Sequence, residues 1–457
     1  MKTTLNAQRL SATRASLKEA NASFNRLYPG ASARRQPVHV VYGGAHLFKA
    51  ETASKLAEVA LRSLEEHAPD ARTLARALGL AEEGALAETV HARVVAKLRR
   101  EAVEDYRIDF EDGYGHRPDA EEDGHAVAAA EELARGLERG SLPPFTGIRV
   151  KSFSEELFDR AVRTLDLFLS TLVARTGGRL PPHFVVTLPK VTLREQVTAL
   201  DSVLGELEAG LGLERGTVKV ELMVETPQSL FDPKGTLALP GLVVAANGRC
   251  SAAHFGAYDY TAACDITASC QHLLHPSCDF ARLVMQVSLA GTDVHLSDGA
   301  TTAMPLEPHK APKGGSLTPD QQEENRAAVH RAWRLHADNV RHALTNGFYQ
   351  GWDLHPAQLP VRYATVYAFF LEGLDAASRR LRAFMDKAAQ ATRLGDVFDD
   401  AATGQGLLNF FLRGLACGAL TEDEARAAGL TLDELRTRSF LEILQGRRGS
   451  GRSWHGP

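Results

Sequence analysis

The sequence predicts an α/β fold, a (β/α)8 TIM barrel with a C-terminal helical extension, on two observations. Short β-rich runs alternate with longer amphipathic patterns up to residue 360, and eight such runs can be marked. Those in the middle of the chain begin at residues 147, 184, 218 and 252, in steps of 37, 34 and 34. One strand and one helix of a barrel take about that length, since eight units make roughly 250 residues. A doubly wound open sheet is the alternative reading of the same alternation.

Residues 1–35 read as an N-terminal helical segment ahead of the barrel. The first strand candidate is Val38–Tyr42 (VHVVY) and the second Tyr106–Phe110 (YRIDF). The long step between them leaves an excess, Ala68–Arg100, that reads as a helical insertion. Gly147–Val150, Phe184–Leu188 and Val218–Val224 follow, then three weaker runs at Ala252–Phe255, Asp293–Leu296 and Gly351–Leu354. Helical stripes lie between them: Phe158, Val162, Leu165, Phe168 and Leu172 in 155–175, and Val197, Leu200, Leu204, Leu207 and Leu211 in 194–211. A third stripe in 320–345 runs through Val329, Trp333, His336, Val340 and Leu344, and another helix is expected at 279–289. After Pro360 the pattern is helical only, with Val361–Lys387, Leu407–Cys417 and a segment opening at Thr421 with Glu422, Asp423 and Glu424 in its first turn. The barrel is therefore expected over 36–360, the extension over 361–445, and a disordered tail over 446–457.

Of 457 residues, 44% are hydrophobic and 24% charged, which excludes a disordered, collagen-like or disulfide-stapled chain. With 52 Lys+Arg against 57 Asp+Glu the net charge is −5, and the basic stripe of a nucleic-acid binder is not expected. Five cysteines, an odd number in a large chain, read as reduced thiols. No apolar stretch reaches membrane-spanning length and the N-terminus has no apolar leader core, so a soluble, cytoplasmic protein is expected.

In such a barrel the chemistry sits where the strands end. The second run ends in Asp109-Phe110-Glu111-Asp112-Gly113, the third in Arg149-Val150-Lys151 and the fourth in Pro189-Lys190. The fifth ends in Glu225-Thr226-Pro227, the sixth runs into Gly256-Ala257-Tyr258-Asp259, and the eighth ends in His355-Pro356-Ala357-Gln358. Each has a plainer reading. DFEDG suits a solvated loop, a lone Arg an exposed strand end, and Glu-Thr-Pro a helix start. Taken together they bring carboxylates and cations to one rim. Hard oxygen ligands such as Glu225 and Asp259 suit Mg²⁺ or Mn²⁺, and the planar fork of Arg149 suits a carboxylate. Cys270, His272, His275 and Cys278 are too compressed for the paired spacing of a zinc site and read as a loop before a helix.

The ordered set resembles the citrate lyase β-subunit/malyl-CoA lyase family of pyruvate- and phosphoenolpyruvate-binding barrels. That family carries DxED after strand 2, Arg after strand 3, PK after strand 4, ET after strand 5, GxxD after strand 6 and HPxQ after strand 8. The resemblance covers residues 36–360. It implies that Glu225 and Asp259 bind Mg²⁺ and that Arg149 binds the carboxylate of substrate or product. It implies that Glu111 and Asp112 act through metal-bound water, beside Asp109 in the same motif, and that Lys190 is a supporting cation. In related lyases and malate synthases a C-terminal Asp closes over the site, a role open to Asp399 or Asp400, although a capped helix start fits them too. The chain departs from the family in its 68–100 insertion, its C-terminal extension and Tyr42-Gly43-Gly44 after the first strand.

The implied activity is a Mg²⁺-dependent carbon–carbon lyase of the aldol/Claisen type. It would act on a 2-oxo or hydroxy acid, free or as a CoA thioester, through a metal-stabilised enolate. A homo-oligomer, trimer or hexamer, is implied in the same way. An acyl-thioester hydrolase or synthase on the same barrel remains open, as does a non-catalytic barrel that binds a carboxylate or a partner protein. Phosphoryl transfer is disfavoured because no G-x-x-x-x-G-K-[ST] loop is present.

Overall fold

In the computed structural model, residues 7–30, 34–82, 84–312, 314–393 and 401–450 are described. Eight strands pair in chain order, every pair parallel, and the last closes on the first. They are β1 (His39–Gly44), β2 (Asp105–Asp109), β3 (Phe145–Arg149), β4 (Val185–Leu188), β5 (Lys219–Val224), β6 (Cys250–Phe255), β7 (His295–Ala300) and β8 (Gln350–Asp353). The barrel expected from the spacing is the one that forms; the open sheet is not.

Period-two alternation explains the two shells of the barrel. Tyr106 and Ile108 of β2 and Phe110 just after it turn outward and are buried against helices, as are Leu222 and Val224 of β5. The helix Phe158–Thr176 lays Leu165, Phe168 and Leu172 on this outer shell, all three wholly buried. The inward residues are ionic where many barrels are aliphatic. Arg107 reaches across the lumen from β2 to Glu221 on β5 (2.6 Å) and also pairs with Asp105. Glu221 accepts from Thr187 (3.0 Å) and stands 3.5 Å from His254. A buried ion cluster of this kind persists because each carboxylate finds a donor.

Between β1 and β2 lie three helices, Thr52–His67, Ala71–Leu78 and Ala85–Glu101. The last two fall in the 68–100 stretch read from the sequence as an insertion. β7 lies two to four residues beyond the run read as Asp293–Leu296. The reason is physical: its buried residues include Ser297 and Asp298, and Asp298 pairs with buried Arg282 (3.0 Å). An apolar pattern cannot reveal a strand held by an ion pair.

The C-terminal chain forms helices Leu359–Arg393, Ala401–Ala416, Glu422–Ala427, Leu432–Thr437 and Phe440–Ser450. The first packs on Ala85–Glu101 and Pro319–Thr345, so the extension continues the outer shell. Leu408 and Phe411 are fully buried there, and Arg93–Glu424 (2.6 Å) ties the extension to the barrel. Thr421 caps its helix by a reciprocal exchange with Glu424, as its acidic first turn suggested. The last helix runs to Ser450, five residues past the expected end of the helical extension at 445. Asp399 and Asp400 lie outside the described residues, as does the tail from 451. Among the described residues, no helix is long and apolar enough to cross a membrane.

Candidate active site

The C-terminal rim gathers the sequence-selected residues because each follows directly on a strand. Asp109 closes β2 and accepts two parallel hydrogen bonds from Arg149 at the end of β3, 2.7 Å from Nε and 2.5 Å from Nη2. The same carboxylate accepts the backbone N–H groups of Glu111 (3.0 Å) and Gly113 (2.7 Å). Asp109 therefore folds the DFEDG turn and aims Arg149, and its donors leave it no free face.

Arg149 is 1% exposed, and its guanidinium lies 4.8 Å from the Tyr42 ring and 5.5 Å from the Trp352 ring. The two rings are themselves 4.4 Å apart. With Nε and Nη2 given to Asp109, the remaining Nη1 faces Glu111 (3.1 Å) without an aligned hydrogen bond. One arm of the fork is thus left for an oxygen atom. Tyr42 and Trp352 were not singled out from sequence, because an aromatic residue in a strand reads as core.

Lys190 is the centre of the cluster. Its Nζ contacts Glu111, reaches Asp112 at 3.1 Å, and stands 3.8 Å from Asp259. Its backbone N–H donates to Glu225 Oε1 (2.6 Å) from a left-handed conformation, φ 50°. That conformation is uncommon for a residue with a Cβ and is found where surrounding contacts over-determine the backbone.

Glu225 is 1% exposed, and burial pushes its carboxyl up to about 8, against the pull of Lys190 and Arg149. Burial also raises Glu111. For Asp112, burial acts upward, but the hydrogen bond with Glu111 and the charges of Arg149 and Lys190 outweigh it and hold the group low. Asp259 sits in the first turn of the helix Ala257–Ala263, with its side chain 45% exposed. Gly256, directly before that helix, has no room for a side chain: a Cβ there would lie 2.5 Å from both the Cβ and Oε2 of Glu225. β6 can therefore pass tight against Glu225, bringing the ends of β5 and β6 into one quadrant.

Glu111, Asp112, Arg149, Lys190, Glu225 and Asp259 thus share one rim. The remaining motif residues are structural. Thr226 caps a short helix and donates to Val191 O (2.6 Å). Gln358 accepts the N–H of Leu354 (2.8 Å) and donates to Thr301 O (3.0 Å), which pins the loop after β7. His275 caps the helix Pro276–Leu289 by accepting from Ser277 N (3.1 Å), and Cys278 is buried in that helix, so the CxHxxHxxC stretch is a helix entry. Among the described residues, one trio brings potential ligand atoms within 4.8 Å of one another, Glu66, His67 and Glu307, and none of the CxHxxHxxC residues belongs to it.

A family model described as a domain of unknown function, DUF6986, matches residues 17–443. The chain belongs to the DUF6986 family. No curated protein matches it. Among solved structures, a citrate lyase from Burkholderia xenovorans LB400 is 20% identical, with a TM-score of 0.50 over 76% of the DUF6986 chain and 94% of its own. A malate synthase from Haloferax volcanii is 15% identical, covering 92% and 96%, with a TM-score of 0.44. CitE from Mycobacterium tuberculosis, solved with magnesium, acetoacetate and coenzyme A, is 16% identical, covering 83% and 97%, with a TM-score of 0.43. The DUF6986 chain has the barrel fold of the citrate lyase.

Proposed function

We propose that this protein is a Mg²⁺-dependent carbon–carbon lyase of the aldol/Claisen type, acting on a 2-oxo or hydroxy acid, free or as a CoA thioester. The observation that carries the reading is the quadrant of Glu225, Asp259 and Lys190. A wholly buried carboxyl pushed up to about 8 has too little positive charge around it, and a dication beside it would restore its ionised form. The donors fit such an ion: two carboxylates that follow adjacent strands, hard oxygens only, of the number Mg²⁺ usually takes from protein while water and substrate fill its other positions. Mg²⁺ held by Glu225 and Asp259 would supply Lewis-acid polarisation of substrate oxygens.

The chain's own residues do the rest. Arg149 offers Nη1 to the substrate carboxylate, held still by Asp109 and the two rings. Glu111 and Asp112 would accept hydrogen bonds from water held near a bound cation and would help balance its charge. Lys190, standing among these carboxylates, offsets their mutual repulsion. A homo-oligomer belongs to the same proposal; it is supported by the helix Pro276–Leu289, which leaves Phe280, Leu283 and Val287 each more than half exposed.

Calorimetric titration of Mg²⁺ tests the reading independently of any substrate. Glu225→Gln and Asp259→Asn keep shape but remove a charge, and each should weaken Mg²⁺ binding at least tenfold. Glu111→Gln should leave the affinity within about threefold and lower turnover more than that. Wild-type affinity in both Glu225→Gln and Asp259→Asn would sink the proposal.

A further inference from the structure

Glu66, His67 and Glu307 share no residue with the rim cluster, and two separate stretches of chain bring them together. Glu66 and His67 end the helix Thr52–His67, whereas Glu307 stands in the loop after β7. One ligand atom from each, an imidazole nitrogen and two carboxylate oxygens, lies within 4.8 Å of the other two. In a tetrahedral zinc site with bonds of about 2.1 Å, neighbouring ligand atoms stand about 3.4 Å apart. His67 Nε2 and Glu307 Oε1 already have that separation, 3.4 Å, without an aligned hydrogen bond. Glu66 is exposed, so rotation of its side chain can close the remaining gap.

The imidazole is the buried member of the three. His67 is 7% exposed, and the Trp333 ring meets it edge-on at 6.1 Å. Trp333 is anchored in turn by donating to Ala357 O (2.8 Å), and His330 Nε2 donates to the carbonyl of His67 (2.8 Å). The ring is thus held from behind and turned toward two carboxylates. Burial draws it below its ordinary value although Glu307 pulls the other way, so near neutral pH it offers a lone pair. Among the described residues the imidazole makes no hydrogen bond, and a buried polar group left so is costly until something uses it.

The surrounding charge also calls for a cation. Among the described residues, neither Glu66 nor Glu307 forms an ion pair with a Lys or Arg, although Arg62 and Lys310 line the same cavity. Both carboxylates stand near the negative end of a helix 16 residues long. That cavity, about 460 Å³, leaves room for water on the metal. An imidazole among the ligands suits Zn²⁺ and disfavours Mg²⁺ and Ca²⁺, which take oxygen. The contrast with the oxygen-only rim is one of donor chemistry.

We propose that Glu66, His67 and Glu307 bind one Zn²⁺, with water in the fourth position, and so clip the helix Thr52–His67 to the loop after β7. Gln358 holds the start of that loop through Thr301 O, and the ion holds it further along. Calorimetric titration of Zn²⁺ into the full chain, in about 5 mM Mg²⁺, tests the site. One equivalent should bind that Mg²⁺ does not displace. His67→Gln and Glu307→Gln should each weaken it at least tenfold, whereas Glu225→Gln at the rim should leave it unchanged. Glu307 is exposed, so Glu307→Gln decides alone should His67→Gln fail to fold by circular dichroism. The site is overturned if no Zn²⁺ binds below about 100 µM, if either folded variant binds like wild type, or if Glu225→Gln removes the equivalent. Displacement by Mg²⁺ overturns the choice of zinc.

Discussion

The most exposed test of single side chains concerns what holds Arg149. A lysine there would keep the charge but lose the two parallel bonds to Asp109 and the contact of the planar guanidinium with the Tyr42 and Trp352 rings. Under the proposed lyase activity, Arg149→Lys should therefore lower kcat/KM at least tenfold on the acid substrate, and near-wild-type kcat/KM would remove Arg149 from the substrate site. Gly256 offers a second test, since a Cβ would be forced into Glu225. Gly256→Ala should fold with wild-type circular dichroism yet lose Mg²⁺ affinity at least tenfold; unchanged affinity would mean that Glu225 is no ligand. The place of Glu225, Lys190 and Asp259 on the rim was legible in the sequence because position after a strand is itself a signal. The same logic put Asp109 among the catalytic candidates, and the structure shows its oxygens occupied by Arg149 and two backbone amides. What a linear pattern could not convey was the aromatic clamp, since Tyr42 and Trp352 are 310 positions apart and meet only because β1 and β8 close the barrel.

Among the elements, the connection between β7 and β8 depends most on one residue. Gln358, fully buried, joins the end of β8 to the loop after β7 through both ends of its amide. Gln358→Ala strands at least two backbone groups, so urea denaturation should show a loss of about 2–3 kcal/mol. A change below about 0.5 kcal/mol would mean that water replaces the amide without cost. The element boundaries follow a similar division. β5 and the helix Arg194–Leu211 were readable because each carries a clear apolar spacing beside its buried charges; the helix has the very bounds its stripe gave. β7 was displaced because it is held by Asp298 and Arg282, and charge carries no periodicity.

At the scale of the whole molecule, buried neutral histidines set the response to acid. His39 is wholly buried and lowered to about 4 by burial, and His295 is lowered to about 4 for the same reason. A histidine ordinarily near 6.5 takes up its proton in the unfolded chain first, so the unfolded state binds more protons between pH 6.5 and pH 4. The stability contribution is complete above pH 6.5 and is lost as pH falls through that window. For His39 the depression from 6.5 to about 4 corresponds to roughly 3 kcal/mol. Denaturation midpoints in urea should fall from pH 7 to pH 5, and His39→Gln, which cannot titrate, should flatten part of that slope. An equal slope in the variant would mean that His39 is already charged in the folded state.

The ionic lumen has a consequence for how this barrel meets heat. Unfolding exposes Arg107, Asp105, Glu221 and His254 to water along with the aliphatic outer shell. Hydration of polar surface lowers the heat capacity, whereas hydration of apolar surface raises it. A barrel whose centre is charged should therefore unfold with a smaller heat-capacity increment per residue than one filled with valine and isoleucine. Its curve of free energy against temperature is correspondingly broader. The penalty for keeping those ions out of water also shrinks on warming, so the centre of the molecule becomes relatively less costly as the temperature rises.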